Sequence, residues 1–381
     1  GFTTIRRQDT MQPRQTLPWT HVLPAVAASW LCAAAGQAAI FEKDGLEIYG
    51  DVRVRLETDF DSRRADGSER DDRTRLRIRA RLGLDYAASD HLSFGLRLRS
   101  GSDDSQQSPH ITLIDFDDND TGDADLNFDK WFAKGQLDRG WGWIGRNSLP
   151  FWKQNEFVWD DDVTPVGLAL GYAMKRGENA FEVNGGYFAL PAGMQDVAGH
   201  LGLAQLVFRK SRFTISGGLL DIDADPDDPD AARLLRGNGT RDYQLWVLSL
   251  QAGVGPWTFG VDAIHNGESY PASETPQDEA LRDEVDAYIG SLKFNSGRGW
   301  QAVYTYAHIE ALAVSSSYAG DDWVRWGSAT QTRASDLKGH ELRFVKDLGP
   351  GQNLVLRLFL AEAITTGEDG NRLRIDWNYK L

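Results

Sequence analysis

The stretch RTRLRIRARLGLDY, residues Arg73–Tyr86, decides the fold of this chain. Arginine occupies every second position from Arg73 to Arg81, and the positions between hold Thr, Leu, Ile and Ala. In an α-helix, residues two apart point in widely different directions, so the arginines would surround the axis and leave no apolar face. In a β-strand the same residues give one apolar face and one basic face. The sequence therefore predicts a strand that separates an apolar medium from water.

The same alternation recurs along the rest of the chain, most clearly in Leu46–Thr58 and Asn371–Leu381. About sixteen runs have this period of two. They lie near residues 46–58, 73–86, 92–100, 126–135, 141–147, 166–174, 180–190, 200–208, 213–221, 241–252, 257–266, 285–295, 300–310, 338–347, 353–363 and 371–381. In the runs near 126–135 and 200–208, either set of alternate residues could form the apolar face.

Two kinds of connection alternate between these runs. Short turns lie at 87–91, 137–140, 175–179, 209–212, 254–256, 296–299 and 348–352. Connections that are mostly long, polar and acidic lie at 59–72, 101–125, 148–165, 221–240, 267–283 and 311–337, with shorter members at 191–199 and 364–370. Short turns at one end and long loops at the other are typical of an outer-membrane barrel with periplasmic turns and extracellular loops.

The arginines also favour a barrel over a packed sandwich. Facing lipid at the bilayer midplane, each would cost about 2–4 kcal/mol, and a closed core cannot hold unpaired charges. About sixteen strands enclose an aqueous lumen that can hold them. We therefore predict an all-β, transmembrane up-and-down antiparallel β-barrel. A secreted β-rich adhesin or binding module, which would stay soluble without detergent, is the alternative fold-level reading.

The N-terminal part of the chain predicts export. From Met11 it has a basic start at Arg14, an apolar stretch Val22–Ala35 and small residues up to Ala39, the layout of a signal peptide cleaved near Ala38 or Ala39. The expected domains are thus residues 1–39, signal peptide and upstream segment, and residues 40–381, barrel. The only cysteine is Cys32, so the exported part has no disulfide. The formal net charge of −15 argues against a nucleic-acid partner.

Four stretches resemble the putative porins of Gram-negative outer membranes, which are similar in architecture to the general diffusion porins. They are RLRIRARLGLDYAASDHLSFGLRLRSG (75–101), GRNSLPFWKQNEFVWDDDVTPVGLALGY (145–172), WQAVYTYAHIEALAV (300–314) and DLKGHELRF (336–344). The resemblance implies a water-filled barrel in the bacterial outer membrane through which small hydrophilic solutes diffuse passively. It also implies contact with outer-membrane lipid and lipopolysaccharide, insertion by the barrel assembly machinery, and an architecture in which homo-oligomers are common.

Basic residues of the first and last runs are expected to face the lumen. They are Arg53, Arg55, Arg75, Arg77, Arg79, Arg81, Arg97, Arg99, Arg372 and Arg374, here called the basic wall. An antiparallel register in which paired numbers sum to 130 or 132 would place Arg53 and Arg55 opposite members of Arg75–Arg79. Two readings remain open: a basic stripe along a pore, or arginines that pair with Glu47, Asp51, Glu57 and Asp85.

The connection 148–165 is the third long loop, and in the general diffusion porins that loop folds into the barrel and forms the constriction. Its aromatic residues Phe151, Trp152, Phe157 and Trp159 could pack on the wall, and Glu156, Asp160, Asp161 and Asp162 could face water. A transverse field between these acids and the basic wall would then select solutes. A cap or partner contact is the alternative role of this loop.

Trp141, Trp257 and Trp300 each follow a short turn, where a periplasmic aromatic girdle is expected. The acidic segments 115–125 and 221–230 do not meet the spacing of a calcium loop, so no metal site and no cofactor is predicted. His265 beside Asn266, with Asp262 nearby, is the least poor candidate for catalysis, but no nucleophile motif accompanies it.

The sequence thus predicts a porin and not an enzyme. A substrate-selective channel for anions or carboxylates, or an export channel for an anionic polysaccharide, is the alternative.

Overall fold

The computed structural model describes residues 39–118, 121–122, 124–234, 237–270, 280–327 and 332–381. The predicted signal peptide, apart from Ala39, therefore lies outside the described residues.

Sixteen long strands follow one another along the chain and correspond to the sixteen predicted runs. They are β1 (Leu46–Arg63), β2 (Arg73–Ser89), β3 (Leu92–Ser100), β4 (Leu126–Leu137), β5 (Gly140–Arg146), β6 (Val166–Arg176), β7 (Asn179–Pro191), β8 (Val197–Lys210), β9 (Phe213–Ala224), β10 (Tyr243–Val254), β11 (Trp257–Asn266), β12 (Asp286–Asn295), β13 (Trp300–Ile309), β14 (Leu337–Gly349), β15 (Gln352–Ala363) and β16 (Asp369–Lys380). Three short strands, Ala39–Lys43, Glu69–Arg70 and Ile111–Asp115, pair with β1 or β2 at their ends.

Each long strand pairs antiparallel with the next, and β16 pairs with β1, so the sheet closes on itself. The predicted up-and-down antiparallel barrel is confirmed. Arg53 lies opposite Arg79 and Arg55 opposite Arg77, which is the register that sums to 132. All even-to-odd connections are short turns, and the odd-to-even connections lie at the opposite end of the barrel.

Inward and outward residues alternate as the sequence pattern requires. On the outside of β2 and β3, Leu82 and Leu96 are 49 % and 41 % exposed, whereas the inward Arg79 is 7 % exposed. Among the described residues, no helix is long and apolar enough to cross a membrane.

The apolar face was ambiguous in the sequence for two strands, β4 and β8, and the physical cause differs between them. In β4 the pairing with β3 shifts between Phe128 and Lys130, so the apolar face changes parity within the strand. In β8 the inward residues Leu201, Leu203 and Val207 are apolar and buried, so both faces of the strand are apolar.

The apolar core of the protein lies inside the barrel. The inner faces of β6 to β13 carry buried apolar side chains. Two long loops pack against them: 147–165, and the described residues 310–327 and 332–336 of the loop 310–336. The side chains of Trp159 and Tyr318, one from each loop, are each about 1 % exposed. The loop 310–336 therefore differs from the predicted polar extracellular connection: its part Ala311–Val314 is buried because the apolar wall offers it a surface.

Candidate functional site

The lumen has two chemically different walls. All ten residues of the basic wall project inward from the four adjacent strands β16, β1, β2 and β3. The opposite wall, β6 to β13, is the apolar one on which the two loops pack. The loops pack on the apolar side, and a cavity lies on the side of the arginines.

Most arginines of the basic wall are paired with carboxylates. Two of the four carboxylates that the pairing alternative names make such contacts. Asp51 contacts Arg79 at 2.6 Å and Arg81 at 2.8 Å. Glu57 contacts Arg374 at 2.6 Å, Arg77 at 3.5 Å and also Arg75. Further pairs, Arg55–Asp376, Arg97–Asp129 and Arg372–Asp59, join residues that the sequence did not connect. Arg53 donates to Asn378 at 2.6 Å, and Arg99 donates to the carbonyl oxygens of Gln106 and Asp162 at 3.0 Å.

Both readings of the basic wall are compatible with these contacts. The inward arginines form an ion-pair network, as the pairing reading requires. Glu57, however, serves three guanidinium groups at once, so the network remains richer in arginine than in carboxylate around it.

The loop 147–165 crosses the lumen from its own strands to the far wall and back. The backbone N–H of Trp152 donates to the side-chain oxygen of Gln205 on β8, and the side-chain nitrogen of Gln205 donates to the backbone carbonyl of Trp152, each at 2.7 Å. Gln154 and Asn155 donate to Asp262 on β11 at 2.9 and 2.7 Å. This loop thus contacts inward side chains of strands that are distant from β5 and β6.

Phe151 explains one of the glycines of the sequence. Gly218 on β9 lies under its ring, and a Cβ at Gly218 would come within 2.5 Å of a ring carbon. The absence of a side chain at this inward position makes room for the inserted loop.

The acids of the loop have different partners. Asp162 contacts Arg81 of the basic wall at 3.1 Å, and Asp161 contacts Lys153 at 2.5 Å. Asp160 is buried and Glu156 is half-buried, and desolvation together with neighbouring carboxylates raises both pKa values, that of Glu156 to about 8. Asp161, whose side chain is 66 % exposed, is the loop carboxylate most open to water.

The loop 310–336, which the sequence predicts to be a polar extracellular connection, takes part in the same assembly. Its Asp322 contacts Arg374 at 2.5 Å and Arg357 at 2.8 Å, and these arginines hold the pKa of Asp322 well below its usual range. Tyr318 stacks on Trp159 at a centroid distance of 4.9 Å, and Trp323 packs on Phe157 at 5.2 Å. The apolar stretch Ala311–Val314 and the aromatic residues that follow it were the sequence signal that this loop is not fully solvated.

A cavity of about 240 Å³ remains beside the basic wall. It is lined by Arg55, Arg75, Arg77, Arg372 and Arg374 of the strands, and by Ser102, Ser105, Ser108, His110, Arg233, Asp321, Asp322 and Arg333 of three long loops.

Two of the three predicted girdle residues lie on the outer face. Trp257 and Trp300 each contact Phe294, and Trp300 also contacts Phe344, so four rings form a continuous row at the short-turn end. The prediction for Trp141 is wrong. Its register partner is the inward Gly171, over which its ring lies, so Trp141 faces the lumen.

The candidate catalytic residues do not form a site. His265 lies on the outer face and contacts Asp286 at 2.8 Å, whereas Asp262 faces inward and accepts from Gln154 and Asn155. In the described parts of the chain, no group of three or more His, Cys, Asp or Glu is placed to hold a metal ion.

Comparisons with known proteins agree with this architecture. Residues 66–205 match the profile of a family described as "Putative porin", a range that includes two of the four stretches on which the resemblance was based. No curated protein matches the chain.

Among solved structures, OprB of Pseudomonas putida at high pH superposes with a TM-score of 0.56 at 11 % identity, covering 88 % of this chain and 94 % of that one. OmpF of Salmonella typhi in complex with daunomycin gives 0.54 at 11 % identity, covering 90 % and 99 %. A loop L8 deletion mutant of OmpT, an outer membrane protein of Vibrio cholerae, gives 0.51 at 11 %, covering 89 % and 100 %. At this identity the likeness concerns the fold, a porin-type transmembrane barrel of sixteen strands.

Proposed function

We propose that the protein is an outer-membrane porin that lets small hydrophilic solutes diffuse passively through the barrel. The observation that carries the proposal is the division of the lumen. The loops 147–165 and 310–336 pack on the apolar part of the inner wall, and the cavity beside the basic wall is lined mainly by charged and hydroxyl side chains. Such a lining suits hydrated solutes and disfavours apolar ones.

Loop 147–165 acts in this proposal as the main constriction. It crosses the lumen, and its fixed contacts with Gln205, Asp262 and Arg81 hold it in place without a moving part. In this proposal the field across the passage arises between the loop acids, of which Asp162 contacts Arg81 and Asp161 contacts Lys153, and the arginines of the basic wall. Low-dielectric walls strengthen such a field.

A selective anion channel, for carboxylates or for an anionic polysaccharide, is the second candidate. It is favoured by the surplus of arginine in the cavity beside the basic wall, where seven guanidinium groups meet two carboxylates.

Planar-bilayer recordings of the refolded protein test the proposal. A stepwise conductance that falls as neutral polymers small enough to enter the lumen are added supports a diffusion pore. The reversal potential in a KCl gradient then distinguishes a weakly selective pore from an anion channel. A protein that stays soluble without detergent and forms no channels would contradict both candidates.

The expected setting follows from the same function. Outer-membrane lipid and lipopolysaccharide would surround the barrel, the barrel assembly machinery would insert it, and related architectures form homo-oligomers.

A further inference from the structure

The cavity beside the basic wall lies where β1, β2 and β16 meet three long loops, and it is rich in arginine. Its lining has seven arginines against Asp321 and Asp322. Three carboxylates behind the lining, Glu57, Asp59 and Asp376, also pair with these arginines. Seven guanidinium groups against five carboxylates leave an excess of two positive charges.

Arg77 is one of the arginines of this cavity whose bonding capacity is only partly used. Its Nη1 is 3.5 Å from Glu57, the long limit of a hydrogen bond, and Glu57 is closer to Arg374. Its Nη2 donates to the hydroxyl oxygen of Ser108 at 3.1 Å and to the backbone carbonyl oxygen of His110 at 3.5 Å. Within the described residues, Nε of Arg77 is buried and has no hydrogen-bond partner.

His110 supplies a second underused group in the same cavity. Its Nε2 is also buried without a partner among the described residues. Burial and the surrounding arginines hold the pKa of His110 well below its ordinary value, so the ring is neutral and offers one N–H donor. Buried polar groups in proteins are usually hydrogen-bonded, so Arg77 and His110 retain capacity to bind a ligand in this cavity.

The size of the cavity limits what it can hold. At about 30 Å³ per water molecule, a volume of about 240 Å³ corresponds to roughly eight waters, or to a solute of roughly eight heavy atoms. Guanidinium forks bind carboxylate and phosphate oxygens in pairs. The three serines of the segment 102–108 add hydroxyl donors.

We propose that this cavity is a binding site for a small oxyanion with two negative charges, either a dicarboxylate of about four carbons or a phosphate. The proposal rests on the channel function and names the solute class that the channel would retain on its way through. A bound dianion balances the two excess charges and accepts hydrogen bonds from Arg77, His110 and the serines. The channel should therefore show saturable block by such anions, which a purely general pore does not.

The test measures chloride current through the refolded protein in planar bilayers at pH 7.5 and constant ionic strength. Succinate and inorganic phosphate are added on the long-loop side, with acetate as the singly charged control. We expect saturable block by at least one dianion and none by acetate. Block by phosphate alone would assign the site to tetrahedral oxyanions, and block by succinate alone to dicarboxylates.

Two variants locate the effect. Arg77→Gln leaves Glu57 paired with Arg75 and Arg374, and Arg333→Gln changes an arginine in a loop, so neither should prevent folding. Each should weaken the block about tenfold, the loss expected for one charge-assisted contact. Arg343→Gln, which removes an arginine of β14 outside the cavity lining, is the matched control and should change the block less than about twofold.

The inference is overturned if neither dianion blocks more than acetate, or if Arg343→Gln weakens the block as much as Arg77→Gln does. A protein without any conductance would instead contradict the proposed channel function, so the two failures are distinguishable.

Discussion

Glu57 is the residue on which the basic wall depends most. Its side chain is fully buried and contacts Arg75, Arg77 and Arg374. Like charges on neighbouring strands repel each other, and the cross-strand pairs Arg53–Arg79 and Arg55–Arg77 place four of them together. A carboxylate amid several arginines offsets this repulsion.

Glu57→Gln should therefore destabilise the barrel strongly. Arg75 and Arg77 would lose their carboxylate, and removing one partner of a buried ion pair costs about 3–5 kcal/mol. Urea unfolding of the refolded protein measures the loss. Glu341→Gln is the matched control, because its partner Arg357 keeps Asp322; an equal loss in both variants would show that Glu57 has no special role.

The raised pKa of Glu156 predicts that the ion selectivity of the channel depends on pH. Burial and the charge of Asp161 raise its pKa to about 8, so the folded state keeps a proton that the unfolded state loses near pH 4.5. The stability attributable to this group therefore falls as the pH rises between these values. Ionisation of Glu156 also adds negative charge to the lumen, so the preference for anions should be higher at pH 6 than at pH 9.

Reversal potentials in a KCl gradient at the two pH values measure this change, and Glu156→Gln should abolish most of it. Glu178→Gln, in an exposed short turn, is the control and should leave the pH dependence as in the wild type. A pH dependence that survives in Glu156→Gln would assign it to other groups.

At the scale of the element, the alternation of residue types was sufficient to locate all sixteen strands. It was also sufficient to orient β1, β2 and β16, because arginines at alternate positions of a membrane-spanning strand are tolerated on the lumen side and not on the lipid side. It failed to orient β4, where the shifted pairing at Phe128–Lys130 changes the phase within one strand. It failed in β8 because the inserted loops make the inner face as apolar as the outer one.

Asp51 and Glu57 were among the candidate partners of the arginines, but the second inserted loop and its ion pairs could not be predicted, for a related reason. Asp322 is far from Arg357 and Arg374 in sequence, and nothing local specifies that they meet. Trp141 was misplaced because its position after a short turn resembles that of Trp257, while its face depends on the pairing of β5 with β6. Long-range packing, and not local pattern, decides each of these features.

Tyr318 tests whether the two inserted loops act as one unit. Its ring stacks on Trp159, its hydroxyl donates to the carbonyl of Pro191 at 2.9 Å, and its own carbonyl accepts from the Asp160 amide at 2.6 Å. Tyr318→Ala should loosen both loops, since removing a buried aromatic ring costs about 3–5 kcal/mol. Single-channel recordings should show a larger and noisier open current.

Tyr288→Ala is the matched control, because Tyr288 lies on the outer face and is 55 % exposed. It should leave the open current unchanged. If Tyr318→Ala also left it unchanged, the loops would not limit the passage.

At the scale of the whole molecule, the closed sheet forms one inner wall with an apolar part and a charged part. A barrel whose inner wall was charged all round would hold loops only through ion pairs. Here part of the inner wall is apolar and packs against the loops as a core, while β16, β1, β2 and β3 carry the inward arginines. The outer row Trp257–Phe294–Trp300–Phe344 marks the short-turn end of the same barrel, as expected of an interfacial girdle.

The orientation of the barrel in the membrane gives the last prediction. The single cysteine of the sequence lies in the predicted signal peptide, so one introduced cysteine can be labelled selectively. Asp138→Cys lies in the exposed turn between β4 and β5, and Asp227→Cys lies exposed in the long loop between β9 and β10. A membrane-impermeant maleimide should label Asp227→Cys in intact cells, and Asp138→Cys only after the outer membrane is permeabilised, because short turns face the periplasm. The unsubstituted protein, which should take no label, is the control. Labelling of Asp138→Cys alone in intact cells would show that the barrel has the opposite orientation. The arginine-rich cavity would then lie toward the periplasm and not toward the outside of the cell.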